Sequence, residues 1–242
     1  MTTFSRGDVS IYYEESGSGF PLLLLAPGGL NSTIDAWGRA AIDPLASLAD
    51  EFRLIAMDQR NAGRSTGPFD LHDPWGSFID DQLALLDHLG VDRFLAMGCC
   101  IGCSYSLKLA ERAPERLLAA VLEQPIGLTE ENRATWLENR RAWASALTGT
   151  RDDLAFDDGE AFGVRMFDES EFVGAVSRDF VSTCATPLLV LPGIDAIHPG
   201  ETGREIAALA VTAMLVEPWK DSPESTARAT ERVRSFLHDH GR

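Results

Sequence analysis

The chain has 242 residues, 45% of them hydrophobic, enough to fill the core of a single α/β domain with an insertion. Its 21 Lys and Arg against 37 Asp and Glu give a net charge of −16. Such a surface repels phosphate backbones and anionic bilayers, which argues against nucleic acid or a membrane as partner. No apolar run approaches the ~18 residues of a membrane span, and Met1 to Asp8 lack a secretory pattern. Cys99, Cys100, Cys103 and Cys184 make no disulfide framework, because three of them crowd into one short stretch and adjacent cysteines bridge poorly. A reduced, cytoplasmic protein is expected. Cys100 and Cys103 have C-x-x-C spacing, but no second Cys/His pair completes a metal site, so no metal is expected.

In chain order, Val9 to Glu14 reads as a strand, Pro21 to Ala26 and Phe52 to Met57 as buried strands. Phe78, Leu83, Leu86 and Leu89 have helical spacing, ended by Gly90. Phe94 to Met97 is a strand, followed by a helix-like run from Ser104 to Arg112; Leu117 to Leu122 is another strand. After a long interval come the strand Pro187 to Leu191, the helix Thr202 to Leu209, the short strand Ala213 to Val216 and the helix Pro223 to His238. Strands alternating with helices predict a mostly parallel sheet covered on both faces. Residues 125–186 break the alternation, with helical spacing and no strand pattern. They are read as a small helical cap inserted into a core of residues 1–124 and 187–242.

Gly98-Cys99-Cys100-Ile101-Gly102 lies between a strand and a helix and spells G-x-C-x-G, a nucleophile-elbow pattern with cysteine in the usual place of serine. Three more segments accompany it. Ala26-Pro27-Gly28-Gly29 looks like an oxyanion loop, with Trp37 further on. Asp58-Gln59-Arg60-Asn61-Ala62-Gly63-Arg64-Ser65 looks like a D-x-R-G-x-G-x-S turn with Asn61 in a glycine position. Pro187 to Asp195 looks like a strand that delivers an acid. Together, in this order, they resemble the α/β-hydrolase family from about Val9 to Leu237.

The resemblance makes Cys100 the nucleophile, its thiolate favoured by the helix N-terminus, and the backbone N–H groups of Gly29 and Ile101 the oxyanion hole. Cys99 is expected to point away from the site, Cys103 and Cys184 to be structural. The family's histidine follows the last strand, but Glu217-Pro218-Trp219-Lys220-Asp221-Ser222 holds none there. Of five histidines, His238, His240 and His88 read as surface, and His72 sits in an unanchored loop. His198, in Gly193-Ile194-Asp195-Ala196-Ile197-His198-Pro199, leaves the carboxyl end of a parallel strand, where ligands bind in open α/β sheets. It is the expected base, with Asp195 or Glu123 as orienting acid. Lys220 is a further candidate for stabilising the Cys100 thiolate. Trp37, Trp136 and Trp143 are expected to contact a small-molecule substrate, in an apolar pocket that the cap lines.

The favoured reading is a Cys-dependent hydrolase of an ester, lactone or thioester through an acyl-Cys100 intermediate. The missing final histidine motivates two alternatives: a lyase, decarboxylase or acyltransferase on the same scaffold, or a non-catalytic small-molecule-binding homologue. No cofactor is expected, since Gly28-Gly29 is too short for a dinucleotide fingerprint.

Overall fold

A computed structural model describes residues 2–167 and 172–241. Eight strands form one sheet in the order β1-β2-β4-β3-β5-β6-β7-β8: β1 (Thr2–Arg6), β2 (Val9–Ser16), β3 (Phe20–Leu25), β4 (Phe52–Met57), β5 (Phe94–Cys99), β6 (Leu117–Glu123), β7 (Leu188–Leu191) and β8 (Ala213–Leu215). From β4 to β8 all neighbours are parallel. The central strands are buried along nearly their whole length, as a sheet covered on both faces requires.

Eight helices accompany the sheet: α1 (Pro44–Ser47), α2 (Pro74–His88), α3 (Ile101–Arg112), α4 (Arg133–Thr148), α5 (Phe156–Phe167), α6 (Arg178–Thr183), α7 (Gly200–Leu209) and α8 (Pro223–His240). Local chemistry sets their starts. Asp73 caps α2 by accepting from the Gly76 N–H at 2.9 Å, with Pro74 in the first turn, so the helix begins before its first periodic apolar residue. Ser222 and Ser225 form a reciprocal capping box at α8. Helices α4, α5 and α6 all lie between β6 and β7. Among the described residues, no helix is long and apolar enough to cross a membrane.

One edge departs from the expected parallel order. β1 and β2 are antiparallel, as are β2 and β4. Only Gly7 and Asp8 join β1 to β2, which makes a hairpin and is far too short for a parallel crossover. β1 has no counterpart in the sequence reading because it is largely exposed and shows no apolar alternation.

The turn after β4 is the main polar joint of the core. Arg60 forks onto Asp81 of α2, Nε to Oδ2 at 2.7 Å and Nη2 to Oδ1 at 2.8 Å, with both side chains buried. Arg6 of β1 reaches the same Oδ1 at 2.9 Å. Asp58 accepts from the backbone of Ile34 and Arg64, which ties the turn to the loop after β3. Asn61 sits at φ 62°, a region asparagine enters more readily than most residues. Its Oδ1 accepts from Gly67 N and Arg151 Nη1, so the side chain has a bonding role that a glycine would lack.

Asp81→Ala leaves the Arg60 guanidinium buried without its carboxylate. The expected cost is about 3–5 kcal/mol in urea-unfolding stability; a loss below about 1 kcal/mol, the range of exposed pairs, would contradict the role given to this joint.

Candidate active site

β5 runs into α3 through one residue, Cys100, at φ 59° and ψ −120°. For a residue with a Cβ this backbone is strained, at a cost of about 1–3 kcal/mol. Two close approaches hold it. A Cβ on Gly102 would lie 1.9 Å from the Leu25 carbonyl oxygen, and one on Gly98 would lie 2.1 Å from the Gly102 oxygen. Only glycine lets helix α3 start so near β3 and β5. The Cys100 N–H donates to the Glu123 carbonyl at 3.0 Å, which pins the turn to β6. The side chain is buried at the floor of a cavity of about 1050 Å³, within the size range of small-molecule sites.

The loop after β7 supplies the partner. Asp195 Oδ1 accepts from the backbone N–H of Ile197 at 3.0 Å and of His198 at 2.9 Å, folding the loop into a tight turn. The same carboxylate meets His198 Nδ1 at 2.8 and 3.0 Å. The turn closes over Gly193, where a Cβ would stand 2.1 Å from the His198 carbonyl oxygen. Asn132, at the base of α4, donates to the carbonyls of Ala196 at 2.7 Å and Gly127 at 2.6 Å, and so holds the loop from the other side. With Nδ1 engaged, Nε2 is buried without a hydrogen-bond partner among the described residues, and Cys100 is the neighbour that most favours charge on the imidazole.

The electrostatics of the two side chains are coupled. Burial works against charge on each. For Cys100 it is outweighed by the His198 hydrogen bond and charge and by the Gly28 and Ile101 amides, which hold the thiol below its ordinary range. For His198 burial is outweighed by Cys100 first and Asp195 second, and the imidazole is raised to about 9. The pairing thus favours the charged form of each group, thiolate and imidazolium.

Several expected residues fall into place, and others move. Cys100, His198 and Asp195 come together, with Ile101 at the sulfur. Gly29 lines the cavity, but Gly28 is the loop residue whose amide meets the sulfur. Glu123 does not meet His198, which bonds Asp195 instead. It is fully buried and points to the loop before α1, accepting from the Ile42 N–H at 3.2 Å. Burial raises it to about 8, so it is neutral at pH 7. Trp136 and Trp143 line the cavity, whereas Trp37 is wholly buried in the core and does not reach it. Cys99 also borders the cavity. Cys103 donates to the carbonyls of Gly98 and Glu123, each at 3.2 Å, and burial raises its thiol well above the ordinary range.

The missing histidine of the last loop is replaced by packing. Trp219 is buried there and donates Nε1–H to the Pro192 carbonyl at 2.7 Å, bracing the loop that carries His198. Lys220 bonds the Gln124 side chain rather than Cys100. His72 and His88 are exposed, His238 pairs with Glu51, and His240 bonds the Phe236 carbonyl, all away from the cavity. Sequence reasoning missed Gly28, Asn132 and Gln124. Gln124 follows Glu123 at φ 52° and lines the cavity, a backbone state that nothing in its neighbours signals.

Residues 21–172 match the family model described as the alpha/beta hydrolase fold. The chain belongs to the α/β-hydrolase family. Its curated relatives include a probable proline iminopeptidase of Leptolyngbya boryana, 30% identical over 55% of this chain and 41% of that protein. A 2-hydroxymuconate semialdehyde hydrolase of Pseudomonas sp. strain CF600 is 32% identical over 50% of this chain and 44% of that protein. The matches thus span under half the length of these relatives. Solved α/β-hydrolase structures share the fold along the whole chain. A meta-cleavage product hydrolase of Pseudomonas fluorescens IP01 has a TM-score of 0.70 at 22% identity, covering 99% of this chain and 98% of that one. The enol-lactonase of Burkholderia xenovorans LB400 has a TM-score of 0.70 at 21% identity, covering 98% and 100%.

Because His198 holds the thiol down, its removal raises the Cys100 pKa. Iodoacetamide should alkylate Cys100 of the wild type at lower pH than it alkylates an ordinary thiol. His198→Ala should slow the reaction at pH 7 about tenfold or more, since each pKa unit costs a tenfold in thiolate. Equal pH profiles in the two proteins would contradict the pairing.

Proposed function

We propose that the protein is a cysteine-dependent acyl hydrolase, cleaving an ester, lactone or thioester through an acyl-Cys100 intermediate. The observation that carries this reading is the His198 imidazole, with Nδ1 on Asp195 and Nε2 left to the Cys100 thiol. That is the nucleophile, base and orienting acid of a hydrolytic triad, recognised by geometry rather than by order in the chain. The hydrolase names among its relatives support the same class.

In this mechanism Cys100 Sγ attacks the acyl carbon, and the carbonyl oxygen takes the new negative charge toward the Gly28 and Ile101 amides. The tetrahedral adduct collapses, the C–O or C–S bond breaks, and His198 Nε2–H protonates the departing group. A water then gives its proton to Nε2 and adds to the thioester. The second collapse releases the carboxylic acid and returns the thiolate to its imidazolium. Asp195 keeps the ring in the tautomer that exposes Nε2 and stabilises its positive form. In this reading residues 125–186 form the cap, closing over the sulfur with Trp136 and Trp143. Four free thiols suit a reducing compartment such as the cytoplasm.

The lyase-type and binding-only alternatives drew their force from the absence of a histidine after the last strand. In the proposed mechanism His198 takes that histidine's part, and hydrolysis needs no further group. Incubation with an activated acyl ester should add one acyl group to the wild-type mass, mapped to Cys100, and Cys100→Ala should show neither adduct nor turnover. His198→Ala should lose about 10²–10⁴-fold in turnover and accumulate the acyl-enzyme. Unchanged turnover in Cys100→Ala would overturn the proposal.

A further inference from the structure

The chain carries 37 acidic against 21 basic side chains, yet the described residues that line the cavity at Cys100 are charged the other way. Among the described residues its lining holds Arg39, Arg140 and Arg151 and no aspartate, glutamate or lysine. Two of these arginines are engaged. Arg151 bonds Asn61 at 2.7 Å and pairs with Asp153, and Arg140 has a partner as well. Arg39 differs. It closes the short 3-10 turn Ile34–Arg39 on the core side of the cavity, is exposed, and has no ion-pair partner among the described residues.

A surface of net charge −16 disfavours the approach of any anion, so an anionic substrate requires a local reversal of the field where it binds. An unpartnered guanidinium beside a cavity free of described carboxylates provides one. Its planar fork matches a carboxylate with two parallel hydrogen bonds. A single such fork balances a monoanion, whereas a dianionic phosphate would face the negative surface with one charge uncompensated. Apolar walls from Trp136, Trp143, Leu147 and Phe167 suit a hydrocarbon body between the two ends. A carboxylate on the acyl half stays bound through both formation and hydrolysis of the thioester, so an anchor there serves both steps.

We propose that Arg39 determines specificity by holding a carboxylate at the far end of the acyl group, so that the substrates are acyl compounds with an apolar chain and a free carboxylate. The carboxylate site is independent of the chemistry at Cys100, but its use in substrate choice rests on the acyl-Cys100 reading.

The test compares two p-nitrophenyl esters of equal chain length, the valerate and the monoglutarate, at low ionic strength. The wild type should prefer the glutarate in kcat/KM by about five- to tenfold, the range of one charge-assisted fork at a partly exposed site, and added salt should narrow the gap. Arg39→Gln should bring the ratio to one or below, and Arg39→Lys should restore part of it. A purely structural role for Arg39 would move both esters equally and leave the ratio unchanged, which would overturn the proposal, as would a wild-type ratio of one. Free valerate, a monoanion that cannot acylate, should slow iodoacetamide alkylation of Cys100 in the wild type and not in Arg39→Gln. Protection by valerate without ester turnover supports the carboxylate site and overturns the acyl-Cys100 reading. Turnover of both esters at equal rates overturns the carboxylate site alone.

Discussion

The position of one imidazole, between the Asp195 carboxylate and the Cys100 sulfur, is the constraint on which the rest of the site depends. A buried thiol and a buried histidine each resist charge, because the apolar surroundings solvate neither ion. Placed together they charge each other, and the coupling lowers the thiol while it raises the imidazole to about 9. The elbow strain at Cys100 and the turn through Asp195 both serve that pairing. So do the two clamps on the loop, Asn132 from the start of α4 and Trp219 from the loop after β8.

Acid and base here share one turn, three residues apart, rather than two separate loops. The arrangement has a physical consequence. Asp195 builds the turn with the same oxygen that orients the ring, so the loop cannot fold as observed without also setting the imidazole. In the proposed mechanism a cysteine nucleophile suits so compact a base, since its thiolate forms without a proton transfer in the attack itself. The space that a last-loop histidine would occupy is given to Trp219, which turns a catalytic position into a structural brace.

Much of the fold was legible in the sequence because each parallel strand is an apolar run bounded by turn residues, and the elbow carries its glycines at fixed offsets. β1 was not, because an exposed edge strand has no apolar alternation. Cys100, Asp195 and His198 were legible from their places after strands. The choice between Asp195 and Glu123 was not, because both follow parallel strands and only side-chain direction separates them. Gly28 and Gly29 differ by one step in a loop, and which amide meets the sulfur is a matter of backbone torsion. Trp37 lies near the oxyanion loop in sequence but turns into the core, where its bulk is worth more buried than lining a pocket.

The proposed carboxylate site at Arg39 extends the same logic from the sulfur outward, since a protein of this net charge needs a local cation where an anion has to be held. The central claim, however, is the charge coupling at Cys100. Its most direct measure is the titration of His198 followed by nitrogen NMR in the wild type and in Cys100→Ala. The account predicts an imidazole that titrates near 9 in the wild type and falls back toward its ordinary value of about 6.5 when the thiol is removed. Titration near 6.5 in both proteins would contradict it.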